Sequence, residues 1–442
     1  GKRSMNKWKN KGMAALLAEL FRKPREKDLR KGLLLVLGSA VLGTALLAAC
    51  SLIPAERLQQ HLVESAELMQ EETLYQKITP LCTSQLDNYT DSIMLKTAAD
   101  DTQDTPLRRA MMAYSGTISG MDPYSSLIAH CVQGQPYEGS SGYYRYWHGY
   151  QIWLRPLLFL MNYRILRKVN RMVQALLCLL VCVLLFRRKK RAAAFAYGMA
   201  YLMLMPLALG KSLQFSCCYY LYTIGSLILL CMSEEQRRRN AGFVFLGLGI
   251  ALAYFDLLTY PAAVFGIPAL VCLVLDSADT PEMQTGRMIR QGVCWAAGYA
   301  GMWGLKWVLA ALITGENALT SAANKAAFWT SHSGKQGGLS VWICLKQNIQ
   351  AFFDTPVRYL AAAFLVAAVC WAWKKGVFRQ KGWVLRLMPY AAAACVPLLW
   401  YLLLTNHSTW HSWFTNKACV VLFLAGTLAA ANWIDDPVPP EK

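Results

Sequence analysis

Residues 150–186 read YQIWLRPLLFLMNYRILRKVNRMVQALLCLLVCVLLF. The run is apolar enough to form one continuous helix. At 1.5 Å per residue such a helix is about 55 Å long, against a bilayer core of about 30 Å. It cannot all cross a membrane. Pro156 is a natural breaking point, because its ring removes a backbone donor. The stretch therefore reads as an interfacial helix (YQIWLRPLLFLMNYRILRKVN) lying flat, followed by a span over 170–186. The flat part carries Arg164, Arg167, Lys168 and Arg171 on one face, at i, i+3, i+4, i+7 spacing. Attraction to anionic headgroups and capture of a specific lipid phosphate account for that face equally well.

The rest of the chain supports a membrane reading. Of 442 residues 55% are hydrophobic and 16% charged, and the mean hydropathy is +0.27. A soluble globular domain carries more charge. The net charge of +19 comes in short blocks between apolar runs, which argues against nucleic-acid binding and for the positive-inside pattern. Ten spans are expected, near 32–53, 170–186, 192–210, 214–232, 241–259, 261–275, 292–314, 357–373, 387–404 and 417–434. With ten spans the basic N-terminal stretch, RRKKR (187–191), EEQRRRN (234–240), the Arg287/Arg290 loop and KKGVFRQKGWVLR (374–386) all fall on the cytoplasmic side.

The expected fold class is all-α, a polytopic transmembrane helix bundle with a large helical first external loop and an interfacial helix. Its parts are a cytoplasmic amphipathic basic segment (5–31), a first transmembrane helix (32–53), the external loop with interfacial helices (54–169), the transmembrane bundle (170–434) and a cytoplasmic tail (435–442). Both termini are then cytoplasmic. The fourteen cysteines include no CxxC pair and no zinc-type Cys/His spacing. Cys82 and Cys131 share the large polar loop, where pairing or free thiols both remain open.

Four short segments carry groups capable of chemistry. In LDNYTDSIML (86–95), Asp87 and Asp91 sit one helical turn apart. A solvated face or an N-cap explains such a pair; so does a general base or a hold on a divalent cation, Mg²⁺ or Mn²⁺. Asp91, deeper in the segment, is the stronger catalytic candidate. YYRYWHGY (143–150) places Arg145 and His148 among aromatics, as an interfacial belt or a platform for a sugar. YFDLLTYP (254–261) puts Asp256 at the end of an apolar helix, and WGLKWVL puts Lys306 inside another. The two could pair, or Lys306 could meet a phosphate. NHSTWHSW (406–413) spaces His407 and His411 four apart, but lacks the third ligand of a metal site. The metal question stays open.

Taken together, these segments and the layout resemble the GT-C superfamily of membrane glycosyltransferases. LDNYTDSIML, RYWHGYQIWLRPLL, YFDLLTYP and NHSTWHSWFTNK are also similar to segments of multi-span proteins from Gram-positive bacteria. The resemblance implies a bacterial plasma-membrane enzyme that moves a sugar from a polyprenyl-phosphate donor to a cell-envelope glycan or glycolipid on the outer face. It implies a first-loop acid, Asp91 or Asp87, as general base. Arg145, His148, Arg164 and Lys168 are then candidates for the leaving phosphate, with Asp256, Lys306, His407 and His411 around the substrate. About thirty residues separate the first span from Asp87, more than in many members of that superfamily. Membrane lipids are the other expected partners, and nucleic acid is not one. The alternatives are a transporter or flippase of a lipid-linked intermediate, which would need charges at mid-membrane such as Lys306, and a non-catalytic scaffold or sensor.

The charge pattern makes one direct prediction. A cysteine introduced at Thr102 should be labelled by a membrane-impermeant maleimide only from the side opposite the basic blocks; labelling from the side of those blocks would overturn the whole topology.

Overall fold

A computed structural model describes residues 12–23, 25–331 and 340–436. Residues 5–11 of the expected N-terminal segment, 437–442 of the tail and 332–339 of the second polar loop lie outside the described residues. The described chain is all-α apart from one short two-stranded sheet, with 76% of residues helical.

A short helix α1 (residues 12–20) precedes α2 (Glu26–Cys50). Seven helical stretches are long and apolar enough to cross a membrane. They are α2, α8 (Tyr163–Arg187), α11 (Leu213–Cys231), α14 (Pro281–Thr314), α17 (Val357–Lys374), Leu385–Leu403 containing α18 (Met388–Leu403), and Ser412–Asp435 containing α21 (Val420–Asp435). This is a multi-pass membrane protein. The three other expected spans are helical but fall short of that standard. Segment 192–210 is split into α9 (Arg191–Met203) and α10 (Pro206–Leu209) by Met205, whose φ is 54°. Segment 241–259 belongs to α12 (Glu234–Phe255), whose first turns carry charge. Segment 261–275 is the short α13 (Ala262–Leu275).

The bundle packs tightly enough to bring backbones together. A Cβ on Gly249 of α12 would lie 2.0 Å from the Trp295 carbonyl oxygen of α14, and one on Gly298 would lie 2.2 Å from that of Leu246. Larger residues would push the two helices apart. Lipid-embedded helices associate through small residues for this reason.

The basic blocks gather at one end. There Lys190 reaches Asp436, Arg237 pairs with Asp276 at 2.8 Å, Arg287 with Asp279 at 2.7 Å and Arg290 with Glu19 at 2.8 Å. A polar layer built by residues 51–162 covers the other end. It holds α3 (Gln59–Glu71), α4 (Asn88–Ala98), α5 (Pro106–Met112), α6 (Pro123–Cys131), α7 (Gln151–Leu160) and a two-stranded antiparallel sheet, β1 (Tyr114–Thr117) with β2 (Gly139–Gly142), that brackets α6 in sequence. Its own core of Leu58, Leu62, Met69, Leu95, Leu127 and Leu154 runs on into Tyr163, Leu166 and Leu213 of the bundle. Helices α15 (Ala318–Thr330), α16 (Val341–Phe353), α19 (Thr405–Trp410) and α20 (Ser412–Thr415) complete that end.

The junction of layer and bundle differs from the sequence expectation. Pro156 sits inside α7 without ending it. The break falls at Met161–Asn162, where the Asn162 side chain accepts from the Ile165 amide at 3.0 Å and starts α8. The boundary is thus near 162 rather than 169, and the four basic residues lie on the first turns of a long helix, not on a flat one. They do not act as one face. Arg167 turns inward to Glu72 at 2.8 Å, while Arg164 meets Glu71 at the surface. Cys82 and Cys131 are separate free thiols.

Arg155 of α7 closes the layer. It is 2% exposed and donates to the carbonyls of Ala98 (2.9 Å), Asp100 (3.0 Å) and Ile53 (3.0 Å). These are carbonyls at and just beyond the C-terminal ends of α4 and α2, which a cation complements. Arg155→Met keeps the length and removes every donor, so it should lower stability by about 2–4 kcal/mol. A thermal-unfolding midpoint equal to wild type in detergent would deny the role.

Candidate functional site

The acids of LDNYTDSIML separate into two roles. Asp87 is the N-cap of α4: it accepts from the Thr90 amide and the Thr90 hydroxyl, both at 3.0 Å. Asp91, one turn on and fully buried, reaches out of its own helix. It accepts from the amides of Leu213 (2.9 Å) and Gln214 (3.0 Å), the Ser212 hydroxyl (3.3 Å) and the Tyr163 hydroxyl. Ser212 does not cap α11 with its own side chain, so Asp91 caps that helix from the polar layer. Both carboxylate oxygens are fully engaged. Burial raises the pKa of both acids, to about 7 for Asp87, which also feels the charge of Asp91.

A second group lies where the irregular segment 143–150 meets α14 and α15. Arg145 donates to the Ser321 hydroxyl at 3.1 Å and lies over the Tyr143 ring, and its Nε has no hydrogen-bond partner among the described residues. His148 is held in the left-handed region at φ 55°. Its Nε2 lies 2.9 Å from the Tyr143 carbonyl, so that nitrogen carries the proton, and Nδ1 faces the Tyr150 hydroxyl at 2.8 Å. Burial lowers its pKa to about 3, with the Lys306 charge adding to the effect. His148 is therefore a neutral pin with both nitrogens in use, not a free phosphate ligand. Lys306 does not pair with Asp256. Its ammonium donates to the Met111 carbonyl at 2.7 Å and sits above Trp147. Asp256 instead binds the Thr259 amide at 2.8 Å and the Thr259 hydroxyl, closing the turn before α13.

A third group surrounds α19. His407 and His411 sit with ring centroids 4.7 Å apart, and both meet the edge of Trp329, at 5.0 and 5.1 Å. Lys325 places its ammonium 4.3 Å from the Trp329 ring centroid. Burial lowers the pKa of His407 well below the usual range and that of His411 to about 4, and lowers that of Lys325, which feels Arg145. Both imidazoles are neutral. In this segment Asn406 Oδ1, His407 Nδ1, Ser408 Oγ, Trp413 Nε1 and Asn416 Oδ1 are buried and without hydrogen-bond partners among the described residues. Orphaned buried polar atoms are rare in folded proteins, and so many in one short segment mark a place that solvent or a polar ligand fills.

These groups are neighbours. Trp413 meets His411 edge-on at 5.4 Å and lies 5.0 Å from Tyr75, and its indole lowers the Asp87 pKa without meeting hydrogen-bond geometry. Lys325 links the histidine pair to Arg145. Trp413 thus lies between Asp87 and the histidine pair, and Lys325 between that pair and Arg145. The structure keeps Asp91, His148 and Asp256 as structural anchors at the edge. Arg164 and Lys168 lie exposed on α8, away from the cluster. Lys325, Trp329, Asn406, Trp413 and Asn416 were not singled out from the sequence. The Lys325/Trp329 pair was legible as an i, i+4 cation–aromatic pair on a helix.

Among the described residues no three His, Cys, Asp or Glu side chains converge as a donor set, and the oxygens of Asp87 and Asp91 already accept from amides and hydroxyls. Comparison of the chain with protein-family models, with curated proteins and with solved structures yields no match.

The two acids should separate experimentally. Asp91→Asn should cost about 1–3 kcal/mol of stability, since one amide oxygen cannot replace both carboxylate oxygens. Asp87 has a folded pKa raised from 3.8 to about 7. Its protonated form suits the fold, so the stabilisation is complete below about pH 4 and is lost as pH rises through about 7. The wild-type unfolding midpoint should therefore fall more than that of Asp87→Asn between about pH 5 and pH 8, by at most about 1.4 kcal/mol per pH unit. Parallel pH profiles would remove Asp87 as the titrating group.

Proposed function

We propose that this protein is a membrane glycosyltransferase of GT-C type, which transfers a sugar from a polyprenyl-phosphate donor to a cell-envelope glycan or glycolipid. In this reading the basic end is cytoplasmic, ten segments cross a bacterial plasma membrane, and the polar layer and the cluster beneath it face outward. One observation carries the reading: two cationic groups, Arg145 and Lys325, converge with the neutral His407/His411 pair on a set of buried polar atoms that lack partners. Such a site suits an anionic group joined to a hydroxyl-rich one.

Asp87 serves as the general base, in place of Asp91, whose oxygens are spent on α11. An acid with a pKa near 7 exchanges a proton effectively at neutral pH. The acceptor hydroxyl oxygen bonds to the anomeric carbon and its proton passes to Asp87. The bond from that carbon to the phosphate oxygen breaks, and polyprenyl phosphate leaves with the electron pair. Arg145 and Lys325 stabilise the charge growing on that phosphate. Neutral imidazoles and the orphaned amides bind sugar hydroxyls, and Trp329 offers its face to the ring.

The test is release of polyprenyl phosphate from a panel of polyprenyl-phosphate sugars by the protein in nanodiscs. Asp87→Asn should lower turnover about a hundredfold while retaining donor binding. Arg145→Gln should lower turnover about a hundredfold or more, as loss of a donor to developing charge does. Absence of both binding and turnover across the panel would refute the reading.

A further inference from the structure

At the opposite end of the molecule lies a second site, independent of the glycosyl-transfer reading. A cleft of about 470 Å³ opens between the N-terminal segment, the first turns of α12 and the first turns of α14. Its walls carry eight cationic side chains against three acidic ones, Glu19, Asp28 and Glu235. The cations come from three separate elements: Arg22, Lys23 and Arg25; Arg237, Arg238 and Arg239; Arg287 and Arg290.

Most of these are already positioned by ion pairs. Arg290 is held by Glu19 at 2.8 Å, Arg25 by Asp28 at 2.7 Å, and Arg287 by Asp279 at 2.7 Å from behind the cleft. Each pair fixes a guanidinium while leaving it other donors. Arg22 and Lys23 have no carboxylate partner among the described residues. The floor is small and weakly polar: Ala241, Gly242, Gln291 and Cys294. A Cβ on Gly242 would meet the Cys294 sulfur at 3.4 Å, so a side chain there projects toward the lining of the cleft.

A solvated basic surface needs neither a concavity nor guanidinium groups fixed around it. We propose that this cleft binds a phosphate-bearing anion, a phosphomonoester or a diphosphate, either as a lipid headgroup or as a free ion. Fixed guanidinium groups suit phosphate oxygens because their fork geometry matches two at once.

Three variants test it in neutral-lipid nanodiscs. Arg22→Gln/Lys23→Gln removes the unpaired charge from exposed positions. Gly242→Leu fills the floor and changes no charge. Lys374→Gln/Lys375→Gln removes the same charge from the same end but outside the cleft. Pyrophosphate is titrated by calorimetry, and retention of phosphatidic acid over phosphatidylcholine is read by native mass spectrometry. Binding in at least one arm is expected, weakened about tenfold by the first two variants and unchanged by the third. Pyrophosphate binding identifies a soluble source; phosphatidic acid alone identifies a lipid. No binding in either arm, indifference to Gly242→Leu, or an equal loss in Lys374→Gln/Lys375→Gln would each overturn the proposal.

Discussion

The Asp91 carboxylate holds the polar layer in register with the bundle. The first amides of any helix lack an intrahelical acceptor, and at the head of α11 they are buried. Ser212 does not satisfy them with its side chain. Asp91, more than a hundred residues earlier in the chain, does so with both oxygens and also takes the Tyr163 hydroxyl of α8. One side chain therefore joins α4, α8 and α11. The Arg167–Glu72 pair and the Arg167–Asn88 hydrogen bond at 3.2 Å reinforce the same corner. A buried anion is tolerated here because two amides, two hydroxyls and the nearby Arg167 charge compensate it.

That constraint explains the division of labour in the cluster. With Asp91 fixed, Asp87 at the head of the same helix is directed toward Trp413, and so toward the histidine pair of α19. Lys417, just beyond, ties the start of the last helix to the layer through the Thr83 carbonyl at 3.2 Å. Arg155 does the same from α7. The layer is thus anchored by buried cations on carbonyls and by Asp91 on amides.

What the sequence disclosed follows from the range of the forces involved. Apolar runs and the clustering of Arg and Lys are local and dominate in a membrane, so the helical elements and the shared end of the basic blocks were legible. The break at Asn162 was not, because Pro156 is a louder signal than a capping asparagine, yet α7 continues through the proline and ends only before Asn162. Asp87 and Asp91 stood out as a pair, but which one caps a distant helix depends on where α11 begins in space. No spacing rule encodes that. His148 looked like a ligand in an aromatic stretch until its backbone conformation and its two hydrogen bonds made it a pin. Asn406 and Asn416 escaped notice because a polar residue becomes conspicuous only once it is buried without a partner.

The two ends of the molecule use charge in opposite ways, and the contrast bears on what each can bind. At the layer end Lys325 and Arg145 are half-buried, Lys325 over Trp329 and Arg145 on Ser321, so an anion arriving there meets them with part of their hydration already removed, where a charge interaction is stronger than at a fully exposed surface. At the basic end the cations are many and mostly half-hydrated, and acids such as Asp276 and Asp279 hold them apart. Salt screens the attraction there beyond about a Debye length, so an anion is drawn in only at short range and is discriminated mainly by the shape of the cleft. Selectivity at the layer end therefore resides in which polar atoms find partners, and at the basic end in what the small floor around Gly242 admits.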